Sequence, residues 1–145
     1  MVAVLVAMRG RRVPTLARRL ARRARRLLGA LDLDTAELSL VLVSDPVMHE
    51  LNRTWRGRNR PTDVLAFAQR EGVGPAPDGL LGDVVISVDT ARRQAAALGH
   101  SVAVEAERLL VHGLLHLLGY DHERSAAEAR RMRRKERALL RALGA

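Results

Sequence analysis

The chain has 145 residues, 48% of them hydrophobic, which fits one domain over residues 1–145 with one packed core. It has no cysteine, which excludes disulfides and thiolate metal sites, so any metal must bind His or carboxylate. Aromatic residues are 2%, so the interior must be Leu, Val and Ala, and the formal charge of +9 is compatible with a polyanionic partner. Every basic residue except Lys135 is Arg, whose planar fork suits bidentate phosphate contacts. No uninterrupted apolar run reaches the ~18 residues of a membrane-spanning helix. Val2 to Met8 is apolar but short, and it precedes an Arg-rich run instead of following a basic segment, so no cleaved signal peptide is expected. A cytoplasmic protein with no membrane partner is the expectation.

In chain order, Val2–Val6 predicts a short strand. Pro14–Leu31 predicts a helix, with Leu16, Leu20, Ala24, Leu27, Leu28 and Leu31 near the 3.6 period and arginines elsewhere on the wheel. That basic face fits a solvated surface, an RNA-backbone stripe or a membrane-surface helix. Glu37–Val43 alternates as a strand does. Asp45-Pro46 suits the N-cap and first position of a helix carrying Met48, Leu51 and Trp55 and stopping near Gly57. Thr62–Ala68 predicts a strand, Gly72–Gly79 a loop, and Asp83–Val88 a further strand. Asp89 is the expected cap of a helix to Leu98, ended by Gly99. Ser101 opens a helix that runs to Gly119, and Ser125 with Glu128 marks the start of the last helix. Strands and helices are interspersed without strict alternation, which favours α+β over a doubly wound sheet.

The stretch His112–His122, HGLLHLLGYDH, carries the most chemistry. On a helix, His112 and His116 share a face one turn apart (~5.4 Å), close enough to share a metal. Gly119 can take φ > 0 and turn the chain back, bringing His122 in as a third ligand. A lone His on an apolar face is ordinarily a hydrogen-bonded core residue. Three at these spacings, in a helix apolar nearly all round and therefore buried, need shared partners, and a metal satisfies several at once. Three protein ligands leave a fourth position for water, the arrangement of catalytic metal sites. The spacing follows the long zincin signature, but Gly113 stands where that signature has its general-base Glu.

HGLLHLLGYDH, together with LNRTWRGRNRPTDVLAF from Leu51 to Phe67 and LGDVVIS from Leu81 to Ser87, resembles the bacterial YbeY family of metal-dependent endoribonucleases. Ala66 departs from the Ser usual in that family. The resemblance implies a small mixed sheet of about four strands packed with helices, distantly like zincin protease domains. It also implies a zinc-dependent, single-strand-specific endoribonuclease that matures ribosomal RNA, late at the 16S 3' end, and takes part in ribosome quality control. Ribosomal RNA and the small subunit with its assembly proteins are the implied partners.

On this reading His112, His116 and His122 hold one Zn²⁺ and its water, although imidazole accepts other borderline ions such as Ni²⁺. Phosphodiester cleavage builds negative charge on phosphoryl oxygens and calls for a cation beside the metal. Arg56 matches the family's functional arginine; Arg53, Arg58 and Arg60 are alternatives. Asp121 suits orienting His122 or capping a helix better than proton transfer. His100, just before the metal helix, could approach the site as a further polar group, although ordinary structure suits both His100 and His49 better. Asp63 fits a turn after Pro61, and Asp83 the start of a strand. A second reading is a non-catalytic RNA-binding assembly factor with a structural metal. A metalloprotease is a third, weakened by Gly113.

Overall fold

The computed structural model describes residues 3–33, 35–69 and 79–144. Four strands form one mixed sheet: β1 (Ala3–Arg9), β2 (Glu37–Val43), β3 (Val64–Ala68) and β4 (Leu80–Ser87). Their spatial order is β1-β2-β4-β3, with β1, β2 and β4 parallel and β3 antiparallel on the outer edge. Five helices accompany them: α1 (Pro14–Ala30), α2 (Asp45–Arg56), α3 (Val88–Leu98), α4 (Val102–Leu117) and α5 (Ala126–Ala142). This is the expected α+β architecture with a small mixed sheet.

The alternation in β2 sorts the two faces. Leu38, Leu40 and Leu42 point into the larger core with Leu20, Leu27 and Leu28 of α1 and Leu110 and Leu114 of α4. Val43 points the other way, with Val85 and Leu65, into a smaller core under Met48 of α2. The helices α1 and α4 therefore cover one face, and α2 covers the other. The final helix reaches the larger core through Met132 and Leu139. The core is aliphatic, as the composition requires.

Several boundaries differ from the sequence reading. The first strand is longer than Val2–Val6, running from Ala3 to Arg9, while Val2 lies outside the described residues. The third strand starts at Val64, two residues after Thr62, because Asp63 closes a turn on the Val64 amide at 2.8 Å. Asp45 is not the cap of α2: the Ser44 hydroxyl accepts from Val47 N–H at 3.4 Å, and Asp45 is already helical. Likewise Ser87, not Asp89, caps α3, and β4 begins at Leu80 and ends before Val88. Strands β2 and β4 thus hand over to helices through a serine at the strand end. The displaced aspartates tie the two helix starts together: Asp89 accepts from the Asp45 amide at 2.8 Å, and Asp45 accepts from Ser87 and Thr90 at 2.6 and 2.7 Å. Most of the expected Gly72–Gly79 loop lies outside the described residues.

Two expected caps hold. Ser101 accepts from Val104 N–H at 3.1 Å, and Ser125 accepts from Glu128 N–H at 3.1 Å. The Glu128 carboxylate does not complete a capping box; it stands 3.6 Å from Arg124.

Candidate metal centre

Helix α4 is buried along most of its length, and its last two turns carry His112 and His116 at the edge of the core. Gly119 follows with φ 94°, a backbone state that favours glycine, and reverses the chain. His122 returns beside the other two, with ring centroids 5.4 Å from both. The Nε2 atoms of His112 and His116 are 3.1 Å apart, and one ligand atom from each of the three residues falls within 4.8 Å of the others. Two nitrogens bound ~2.0–2.1 Å from one tetrahedral ion stand about 3.3 Å apart, so the spacing suits a shared ion. Burial, then the nearby His112 and His122, push the His116 imidazolium below its usual range. The ring is thus neutral at pH 7 and offers a lone pair. The His122 side chain is 44% exposed, so the cluster is open on one side.

The second nitrogen of His112 has a partner that sequence reading did not supply. Nδ1 lies 2.7 Å from Glu136 Oε1 on α5. A carboxylate accepting from Nδ1–H leaves Nε2 bare and facing the cluster, the usual way a ligating His is oriented. Glu136 comes from the far end of a helix 24 positions downstream. Its only signal is that it is a lone acid in the run Arg130–Arg141.

Gly113 is a packing requirement. A Cβ there would stand 2.7 Å from Val84 Cγ1 and 3.2 Å from Val64 Cγ2. Helix α4 lies so close to the sheet that a side chain at the position of the zincin Glu would have to displace Val84.

The imidazoles line a cavity of about 710 Å³ bounded on its far side by edge strand β3 and the turn after α2. Arg56, Arg58 and Arg60 all line it, and Arg53 does not. Asn52, 2% exposed on the buried stripe of α2, holds that turn: its Nδ2 donates to Arg60 C=O at 2.8 Å. A polar residue four after Met48 on an apolar stripe was the available sequence signal. Arg56 ends α2, donates to the Ala66 carbonyl and lies 4.8 Å above the Phe67 ring. Neither Asp63 nor Asp121 holds it.

Asp63 and Asp121 also line the cavity, but they, like His100, His49 and Asp83, are held in other pairings. Asp121 closes its own turn by accepting from the Glu123 amide at 2.8 Å; that bond, with Arg124 beside it, holds the carboxyl below its usual range. Asp63 accepts from Gln94 at 3.2 Å as well as from Val64. Asp83 sits inside β4, paired with Phe67, not at a strand start. His100 does not approach the cluster; it bonds Glu105 at 2.8 Å, and His49 bonds Asn59 at 2.8 Å.

A model of the family described as Endoribonuclease YbeY matches residues 9–144. The chain belongs to the YbeY family. It is 56% identical over 128 residues to an Endoribonuclease YbeY of Anaeromyxobacter sp. (strain Fw109-5), covering 88% of this chain and 65% of that one. With the Endoribonuclease YbeY of Geobacter sulfurreducens it shares 46% identity over 138 residues, covering 94% and 92%. The chain thus spans about two thirds of the length of its Anaeromyxobacter relatives and nearly all of the Geobacter YbeY. In fold it is similar to the solution structure of TM1509 from Thermotoga maritima, with a TM-score of 0.67 at 24% identity, covering 95% of this chain and 88% of that one.

Proposed function

We propose that the chain is a metal-dependent endoribonuclease, specific for single strands, that processes ribosomal RNA in the late maturation of the 16S 3' end and in ribosome quality control. The observation that carries this reading is the His112–His116–His122 cluster in the wall of a cavity rimmed by Arg56, Arg58 and Arg60. The three imidazoles fit one Zn²⁺, which when bound supplies Lewis acidity to a phosphoryl oxygen and its attacking water. Glu136 fixes the His112 ring for that task. Arg56 faces the same cavity and stabilises negative charge on the scissile phosphate, while Arg58 and Arg60 attract the backbone. Small-subunit RNA and its assembly proteins are the partners on this reading, in the cytoplasm; among the described residues no helix is long and apolar enough to cross a membrane.

The exposed side of His122 supports a catalytic over a structural metal, because a structural ion finds a fourth protein ligand. Gly113 and the arginine rim favour a phosphodiester over a peptide substrate. The test is elemental analysis of the purified protein joined to cleavage of a single-stranded RNA. Cleavage that stops with a chelator and returns with Zn²⁺ is the expected result; RNA binding with no cleavage under any metal would favour a non-catalytic assembly factor.

A further inference from the structure

The chain has one Trp, one Phe and one Tyr. None of the three is in the buried core, although large aromatic rings are ordinarily the most rewarding side chains to bury. Tyr120 lines the cavity; Phe67 and Trp55 do not, but each adjoins residues that do, Phe67 between Ala66 and Ala68 on β3 and Trp55 just before Arg56 at the end of α2. Two of the rings already carry a cation: Arg56 lies 4.8 Å over Phe67 and Arg131 4.9 Å over Tyr120. Among the described residues no guanidinium covers Trp55. The residue is 66% exposed, and its ring meets the Phe67 ring edge-on at 6.5 Å and 66° between planes.

A single exposed apolar side chain is ordinary on a protein surface. The surroundings of Trp55 are not. It stands in the last turn of α2, flanked in sequence by Arg53, Arg56, Arg58 and Arg60, and the turn that follows is held by Asn52 and begun by Gly57 with φ 67°. Phe67 faces the α2 side of the sheet, and the histidines lie on the α4 side, so the edge strand β3 runs between ring and cluster. A nucleotide carries its phosphate and its base on opposite sides of the ribose. A phosphate among Arg56, Arg58 and Arg60 leaves the attached base free to lie over the β3 edge, where Trp55 is open.

We propose that Trp55 is a stacking platform for an unpaired nucleobase of an RNA strand whose phosphate lies in the cavity. The proposal rests on the reading of the chain as an RNA-cleaving protein and adds to it a physical source of strand selection. Every base has a π face, so such a platform tolerates sequence, but bases inside a duplex are already stacked and cannot reach it. Phe67 supports the platform from its edge, and Arg56 links it to the phosphate.

Trp55 is the only tryptophan, so intrinsic fluorescence reports on this ring alone. The experiment titrates the full chain with a short single-stranded 2′-O-methyl oligoribonucleotide, with an oligomer of the same backbone but abasic residues, and with a duplex. Quenching by the first and little by the other two is expected. Trp55→Ala should lose about 5- to 150-fold in affinity for the single strand, and Trp55→Phe should keep most of it. Cleavage of a single-stranded RNA substrate is measured on the same variants. Equal quenching by the abasic oligomer, or Trp55→Ala binding the single strand like the parent, would overturn the platform while RNA cleavage by the parent leaves the enzyme reading intact. No binding and no cleavage by the parent chain would remove that reading and the platform with it.

Discussion

The partners that hold Arg56 are neutral: a backbone carbonyl and the face of Phe67. Its charge is therefore free to act on a phosphate without first leaving a carboxylate. An interaction that strengthens as charge develops acts on turnover more than on binding. Arg56→Ala should slow single-turnover cleavage by about 10²–10³ while metal content, melting temperature and RNA affinity stay close to the parent. Lys should rescue poorly because an ammonium lacks the fork. Near-parental cleavage would turn attention to Arg58 and Arg60, which share the cavity, and not to Arg53, which does not. For the metal, replacing His112, His116 or His122 by Ala should lower bound metal and melting temperature together, since binding energy is folding energy. Mass spectrometry and thermal melts on the same preparations check this. Glu136→Gln should weaken metal affinity by about 10–100-fold, read by competition with a chelating dye, with the fold kept.

At the scale of elements, helix α4 and its approach to the sheet decide the site. Gly113→Ala gains about 1 kcal/mol of helix propensity. It also forces a methyl to within 2.7 Å of the buried Val84, and such overpacking typically costs about 1–3 kcal/mol. The net expectation is destabilisation by roughly 1 kcal/mol, read by urea unfolding; a more stable variant would show that the contact yields easily. The joined starts of α2 and α3 predict a pH response. Burial raises the Asp45 carboxyl, but hydrogen bonds from Ser87, Thr90 and Arg93 outweigh it and hold the group below its ordinary value. A depressed carboxylate stabilises the fold above its unfolded pKa and ceases to as pH falls through the folded one. The chain should lose stability below about pH 4, and Asp45→Asn, weaker at pH 7, should lose less over that range, as urea midpoints at pH 7 and pH 3 would show. Asp45 also illustrates where sequence reading stopped. Ser, Thr, Asp and Asn all cap helices, so Ser44-Asp45 and Ser87 with Asp89 present rival caps one or two residues apart. Only the backbone angles at the strand ends choose between them. The His–Gly–His spacing, by contrast, was legible because helix pitch and one reversing glycine fix it locally. Glu136 was not, because pairing between α4 and α5 has no local signature.

Over the whole molecule, the charge of +9 overstates the free basic surface. Arg19 and Arg23 of α1 both reach Glu107 at 2.9 Å, a residue with only 5% of its side chain exposed. Arg23 and Arg26 also donate to the carbonyls of Leu143 and Ala142 at the end of α5, at 2.6 and 3.0 Å. Part of the basic stripe that resembled a contact surface is thus a clasp between the first and last helices. If RNA binds through the remaining arginines and the cavity rim, its affinity should fall steeply with salt, because each phosphate contact releases counterions. Titrations from low to physiological ionic strength check this, and a flat profile would remove the electrostatic reading.

The clasp also sets an order in time. A chain emerging from synthesis presents His112, His116 and His122 before α5 exists, but the carboxylate that orients His112 arrives only with Glu136. The helix bearing it is fastened at its far end by α1, through bonds spanning 116 and 120 positions of sequence. The orienting partner of the candidate metal centre is therefore made after the three histidines, and the helix that carries it is held by closures spanning 116 and 120 positions. A chain made only as far as His122 carries three histidines without that support, and the candidate centre gains it only once α5 has formed and docked.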